Sequence, residues 1–269
     1  MIYVHSLERA ARYYPNSSAL CLGEAKLTFR ELHNEIRSLA GGLVRAGFNA
    51  GDRLGLLLPN GPTYIKFAYA CSWLGITAVP INTRLSIVEI DHLLADAAPR
   101  GLVRHSSLPT PTARLSWELV ADAEPFTGLS GDCPDPCYDP EALLALIYTS
   151  GTTGRPKGVI VTHANVLADV HNFNYWTQYK EGGVYLHAAP IFHIADFPAL
   201  FAAPAFGACQ IALSRFTREA FCQAVDKQRV NYTVLVPTMI STLTQYEAIE
   251  KYDLSSLEVL AYGGSPMAP

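Results

Sequence analysis

Residues 148–159 read Tyr-Thr-Ser-Gly-Thr-Thr-Gly-Arg-Pro-Lys-Gly-Val. Thr149, Ser150, Thr152 and Thr153 supply hydroxyls, and Gly151 and Gly154 supply bare backbone that can approach a ligand closely. Lys157 adds a mobile cation. Hydroxyls and successive N–H groups donate to anionic oxygens, and a loop of this kind forms an anion-holding concavity. The ligand such chemistry suits best is a polyphosphate. Two apolar β-type runs, Leu143–Tyr148 and Val159–Thr162, flank the stretch, which predicts strand, loop, strand. It is not a Walker A loop, because Pro156 stands where Gly-Lys-Ser/Thr is required, and it contains no G-x-G-x-x-G. A polar hairpin turn rich in Gly, Ser and Thr is the structural alternative.

Outward from this segment, helices and strands alternate. Thr28-Phe-Arg-Glu31 reads as a capping box, with Leu32, Ile36, Leu39 and Leu43 at helical spacing and Gly47 as the stop. Leu54–Leu58 and Ala78–Ile81 read as short strands around a helix that follows Asn60-Gly-Pro62 and ends at Gly75. Ser86 and Glu89 form a second capping box, opening a helix through Leu94. Residues 106–140 hold six prolines and little periodicity, and read as a surface excursion with room for short strands. Beyond the loop, helices are expected at Asn165–Tyr179, at Thr217–Arg229 and after Pro237. Strands are expected at Val184–Ala188, Tyr232–Val236 and Leu257–Tyr262. This alternation predicts an α/β fold with mostly parallel sheets.

Composition narrows the class. Apolar residues make up 49% and charged residues 16%, with net charge −4. Nothing basic and clustered points to nucleic acid. At 269 residues the chain exceeds one ordinary core, so two subdomains are expected. The six cysteines lack a second Cys or His pair at zinc spacing, and read as free thiols rather than metal ligands. The start, Met1–Ala11, has no apolar secretory core. Ile194–Leu213 is long enough for a bilayer, but Asp196, Pro198, Pro204 and Gly207 make a buried helix, turn and strand the better reading. No transmembrane segment is expected, and a cytoplasmic enzyme is.

The 148–158 segment resembles the phosphate-binding signature of the class I adenylate-forming enzymes, which include acyl-CoA synthetases, peptide-synthetase adenylation domains and firefly-type luciferases. Pro190-Ile-Phe-His193, Val236-Pro-Thr238 and Gly263-Gly-Ser-Pro266 resemble three further elements of that family, in the family's order. The resemblance implies the N-terminal domain of such an enzyme, built from two interleaved α/β subdomains. Residues 1–50 plus 185–269 would carry the adenine and acyl side, and 51–184 the phosphate loop. The family's aromatic-Gly-x-Thr-Glu motif, its ribose-binding aspartate and its C-terminal lid domain do not occur in residues 1–269. The expectation is therefore that residues 1–269 are a truncated domain and turn over little or nothing by themselves.

The implied chemistry is ligation. A carboxylate attacks the α-phosphorus of ATP, giving an acyl-adenylate and pyrophosphate, and the thiol of coenzyme A then takes the acyl group. Thr149, Ser150, Gly151, Thr152, Thr153, Gly154 and Lys157 would hold the β- and γ-phosphates, with Mg²⁺ accompanying ATP. His193 would lie between α-phosphate and carboxylate; a core or helix-capping histidine is its alternative. Gly263, Gly264, Ser265 and Pro266 would hold adenine, or form an ordinary strand-to-helix turn. Asp196 departs from the small residue common in relatives, and reads as a cap for the following helix. Phe197, Leu200, Phe201, Pro204 and Phe206 suit an apolar acyl tail or plain core. A fatty acid is the expected small-molecule carboxylate. The alternatives are an aryl or amino acid, a carrier-protein acceptor, or a non-catalytic nucleotide-binding module.

Overall fold

The computed structural model describes residues 4–23, 25–122, 126, 129–137, 139–149 and 156–266. The chain begins α1 (Val4–Tyr13), β1 (Ser18–Leu22), β2 (Ala25–Thr28), α2 (Phe29–Arg45), β3 (Arg53–Leu57), α3 (Pro62–Leu74) and β4 (Thr77–Pro80). It continues α4 (Ile87–Ala97), β5 (Gly101–Arg104), β6 (Trp117–Val120), β7 (Leu143–Thr149), β8 (Lys157–Thr162), α5 (His163–Thr177) and β9 (Val184–His187). It closes with α6 (Ala199–Ala205), β10 (Cys209–Ala212), α7 (Arg218–Gln228), β11 (Tyr232–Leu235), α8 (Pro237–Thr244) and β12 (Val259–Tyr262). Contacts divide it into two units. The first is Met1–His5, Glu31–Pro59 and Thr63–Asp169; the second is Ser6–Arg30, Asn60–Pro62 and Val170–Pro269.

Each unit holds one six-stranded sheet, and both sheets follow one rule. In the first unit the order is β6-β5-β3-β4-β7-β8. All neighbours are parallel except β8, which returns antiparallel to β7. In the second the order is β12-β11-β9-β10-β1-β2, parallel except for β2 against β1. Strands covered on both faces read as continuous apolar runs, which is why Leu54–Leu58 shows no alternation.

In the first unit α4 lays Ile90, Leu93 and Leu94 on Leu57, Val79, Leu102 and Leu146. Its start is the capping box read from the sequence: the Ser86 N–H donates to Glu89 Oε2 at 2.8 Å and the Glu89 N–H to Ser86 Oγ at 3.4 Å. α3 is buried from Tyr64 to Leu74, as expected of a helix that is apolar all round. Its Lys66 is 2% exposed and reaches Glu35 at 2.5 Å. In the second unit α7 and α8 place Phe221, Val225, Met239 and Leu243 over Leu186, Ile211 and Val234. Thr217 caps α7, accepting from the Ala220 N–H at 3.0 Å. The apolar stretch Ile194–Leu213 divides into α6, a turn at Gly207 (φ +77°) and β10. Among the described residues no helix is long and apolar enough to cross a membrane.

α2 carries Gly41-Gly42 in its interior, normally a destabilising choice. The reason is a crossing segment. A Cβ on Gly41 would lie 2.1 Å from the Gly131 carbonyl oxygen, and one on Gly42 would lie 2.6 Å from the Leu129 carbonyl carbon. The Gly131 N–H donates to the Ser38 carbonyl at 3.1 Å, so backbone lies directly on backbone. A methyl group has no side chain to displace there. Gly41→Ala should lower unfolding free energy by about 1–3 kcal/mol, the usual range for overpacking. Chemical denaturation would check this; an unchanged midpoint would mean the segment does not seat on α2.

Candidate active site

The hairpin of the first unit is built from β7 and β8, whose ladder runs from Leu143 opposite Thr162 to Thr149 opposite Lys157. Two of the predicted phosphate ligands, Thr149 and Lys157, therefore face each other across the last rung, and both are exposed. Ser150, Gly151, Thr152, Thr153 and Gly154 lie outside the described residues. The base of the hairpin is tied down. Tyr148 donates to Asp96 Oδ2 of α4 at 2.6 Å, and burial together with that carboxyl pushes its hydroxyl pKa up, keeping it a donor. Gly158 lets the Tyr148 ring lie on the opposite strand: a Cβ there would be 3.1 Å from Tyr148 Cζ. At the other end Thr162 starts α5 reciprocally. Its Oγ1 accepts from the Asn165 N–H at 3.2 Å, and Asn165 Oδ1 accepts from the Thr162 N–H at 3.0 Å.

His163 follows that cap and is 1% exposed. Burial lowers its pKa from 6.5 to about 4. The unfolded chain then binds the proton more readily than the folded one between those values. Stability present above pH 6.5 is lost on acidifying toward pH 4, by on the order of 3 kcal/mol in total. Replacing His163 by Leu should flatten that part of the stability–pH curve. An unchanged slope would mean the imidazole titrates normally.

In the second unit the geometry comes from the parallel sheet. β12, β11 and β9 are parallel neighbours, with Leu235 opposite Tyr262 and Thr233 opposite Leu186. Their C-terminal ends lie at one edge. From that edge leave the 188–198 segment carrying His193, the Val236-Pro237-Thr238 turn, and the Gly263-Gly264-Ser265-Pro266 turn. Gly264 has φ +81°, and a Cβ on it would stand 3.7 Å from Val236 Cγ1, so the last two turns adjoin. In open α/β sheets ligands collect beyond this edge. His193 is exposed and its ring lies tilted by 59° against Phe192, with ring centroids 4.5 Å apart. Ser265 and Pro266 are also exposed.

Two residues hold the 188–198 segment, and sequence reasoning assigned neither correctly. Asn60 is 8% exposed. Its Nδ2 donates to the carbonyls of Ala189 at 2.7 Å and His187 at 3.3 Å, and its Oδ1 accepts from the Ile191 N–H at 2.9 Å. The sequence showed it only as part of a turn; the Asn-Gly-Pro context before an apolar helix was the available signal. Asp196 corrects an expectation. The residue at the N-cap of α6 is Pro198, with no side-chain cap, and Asp196 is fully buried. Its Oδ1 accepts from the Tyr185 hydroxyl at 2.6 Å and its Oδ2 contacts His187 Nδ1 at 2.8 Å. His187 Nε2 in turn meets Gln210 Oε1 at 3.0 Å. The carboxyl group faces the sheet. Phe197, Leu200 and Phe201 are fully buried, Pro204 is buried and Phe206 is half-buried, so most of the proposed acyl lining is core.

A model of the AMP-binding enzyme family matches residues 7–269. The chain belongs to that family. Feruloyl-CoA synthase of Amycolatopsis sp is 35% identical over 263 residues, covering 96% of this chain and 53% of that protein. 2-Succinylbenzoate–CoA ligase of Bacillus licheniformis is 31% identical over 267 residues, covering 97% and 54%. The chain thus spans about half the length of the curated relatives it matches. Among solved structures, o-succinylbenzoate CoA synthetase of Bacillus subtilis with its acyl-adenylate intermediate matches with TM-score 0.86 at 27% identity, over 97% of this chain and 68% of that one. A long-chain-fatty-acid-CoA ligase of Archaeoglobus fulgidus matches with TM-score 0.90 at 26% identity, over 100% and 59%. The fold is that of the N-terminal domain of adenylate-forming enzymes.

Within this AMP-binding domain, the Asn60 contacts make a specific expectation. Asn60→Ala strands the Ile191 N–H and two carbonyls, at roughly 1–3 kcal/mol for each buried polar group left unpaired. Asn60→Asp keeps the acceptor for Ile191 and loses the two donors. Amide hydrogen exchange at Ile191 should rise strongly in the alanine variant and less in the aspartate variant. Equal exchange in both would remove Asn60 from this role.

Proposed function

We propose that the protein carrying this chain activates a carboxylic acid with ATP and passes the acyl group to coenzyme A. The observation that carries the reading is the shared sheet edge from which the His193, Val236–Thr238 and Gly263–Pro266 segments leave. Family membership and relatives named as CoA synthases and ligases support it.

On this reading Thr149 and Lys157, with Ser150, Gly151, Thr152, Thr153 and Gly154, bind the β- and γ-phosphates. The exposed hydroxyl and ammonium on facing strands fit an anionic ligand. Gly263, Gly264, Ser265 and Pro266 receive the adenine, in a turn that Gly264 closes with positive φ beside Val236. His193 donates to the carboxylate or an α-phosphate oxygen. Among the described residues no group of three His, Cys, Asp or Glu side chains could cage a metal ion. Mg²⁺ fits here as the nucleotide's own partner, supplying charge neutralisation on its phosphates. The residues' contribution is position and electrostatic stabilisation between two anions. The carboxylate oxygen bonds to the α-phosphorus as pyrophosphate departs; the thiol then bonds to the acyl carbon as AMP departs.

For the acyl group a fatty acid is one reading; with most of the Phe197–Phe206 region in the core, it rests on the structural match to a long-chain-fatty-acid-CoA ligase. A second reading, an aryl acid, rests on the relatives named for feruloyl and 2-succinylbenzoate substrates. A carboxylate panel on the intact protein, read as pyrophosphate release with coenzyme A present, separates them. Lys157→Ala should cut the specificity constant for ATP by about 10–100-fold, the worth of one charged hydrogen bond, while leaving the melting temperature in place. Unchanged ATP use with a lowered melting temperature would make Lys157 structural. No release with any carboxylate would favour a non-catalytic nucleotide-binding module.

A further inference from the structure

Away from the segments discussed above, β1, β10 and α7 line an open pocket of about 270 Å³ in the second unit. Its wall includes Cys21 of β1, Ile211 of β10 and Ala224 of α7, with Gln223 and Lys227 also lining it. β1 and β10 are parallel neighbours, with Leu20 opposite Gln210. Cys21 and Cys209, one position to either side of that pair, lie on the sheet face that α7 covers. Their Sγ atoms are 3.4 Å apart, and the residues are 9% and 3% exposed. We propose that Cys21 and Cys209 form a dithiol site that exchanges with a small-molecule disulfide entering through this pocket.

Cys21 is the attacking sulfur because it lines the pocket and Cys209 does not. Its Sγ shares a hydrogen bond with Cys209 Sγ in which either sulfur can be the donor, and Lys26 adds positive charge; its pKa is lowered to about 7 against the opposing effect of burial. The same contact and burial push the Cys209 thiol well up. Burial alone pushes Cys71 and Cys222 up. The thiolate is the nucleophile in such exchange, and one with pKa near ambient pH is the best placed.

The steps balance. The Cys21 thiolate bonds to one sulfur of the small disulfide; that S–S bond breaks and one small thiolate leaves. Cys209 gives up its proton and its sulfur bonds to Cys21 Sγ, breaking the mixed disulfide and releasing the second small thiol. Two protein thiols are oxidised to one disulfide, and one small disulfide is reduced to two thiols. The two cysteines lie two residues out of register on neighbouring strands, which sets their Cα atoms on the order of 8 Å apart, so closing the S–S bond also draws the two strands together locally.

The test is peptide mapping of the intact native protein after 2-hydroxyethyl disulfide, a probe small enough for this pocket. Linked Cys21 and Cys209 peptides are expected in the wild type, and a mercaptoethanol adduct on Cys21 in Cys209→Ala. Ala224→Phe, which narrows the pocket and touches neither sulfur by design, should slow the reaction at least tenfold. In the wild type Cys21 should be alkylated by iodoacetamide at least tenfold faster than Cys71, with a rate rising through pH 7. That last measurement stands even where a variant does not fold. Cys21 labelled no faster than Cys71, or oxidation confined to Cys133 and Cys137, would overturn the proposal.

Discussion

The second unit turns on one buried carboxyl group. Asp196 has no contact with water, and its two oxygens are taken by the Tyr185 hydroxyl and by His187 Nδ1, both projecting from β9. A carboxylate taken out of water without partners costs several kcal/mol, so the 193–198 segment is stable only in the register that delivers it to those two groups. Burial and the neighbouring carboxyl push the Tyr185 hydroxyl pKa up, which holds it as a donor. The network continues to Gln210 on β10, whose Nε2 has no protein partner among the described residues. Asp196 therefore fixes the far end of the segment while Asn60 fixes the near end at residues 187–191. His193 lies between two polar anchors rather than on a free loop. Polar groups buried this way specify one arrangement, because any other leaves them unsatisfied.

That anchoring matters because the sheet supplies only direction. Parallel strands bring three turns to one edge, yet a turn that leaves a strand can sample many paths. The Val236–Gly264 contact restrains two of them by packing. The third is restrained by hydrogen bonds. An exposed imidazole held from both sides can meet a ligand without first paying to order its own backbone.

Much of this architecture was legible where a local rule has its own chemistry. Ser86 and Glu89 announce a helix start because both halves of the cap lie within four residues. Gly47 ends α2 with φ +89°, a conformation only glycine takes cheaply. The strands around residues 148–159 were legible from apolar runs of four to six residues. By contrast α1, β1, β2 and β5 were not placed; the strands are only four or five residues long, and β1 and β5 pair in parallel with strands distant in sequence. β1 pairs with β10, about 190 residues away, and no local period reports that. Asp196 was misread for the same reason: an acidic residue two positions before Pro198 looks like a cap until Tyr185 and His187 are brought beneath it. Asn60 was passed over because a turn asparagine and a buried clip have the same one-letter signature. The Gly41-Gly42 pair is intelligible only with residues 129–131 lying across it.

The phosphate reading of the 148–158 hairpin has a physical consequence that separates it from other nucleotide loops. In a Walker-type loop the anion sits at a helix N-terminus, where unpaired N–H groups and the macrodipole do much of the work. Here the loop joins two antiparallel strands, and a sheet has little net dipole to offer. The positive potential must come from side chains and loop amides instead. On that reading the hydroxyls of the stretch and Lys157, on the rung opposite Thr149, supply it. The base of the hairpin is fastened by Tyr148 to Asp96 and by the Thr162–Asn165 cap. Donors carried on side chains are only as well placed as the strands beneath them, and those strands are held by these contacts.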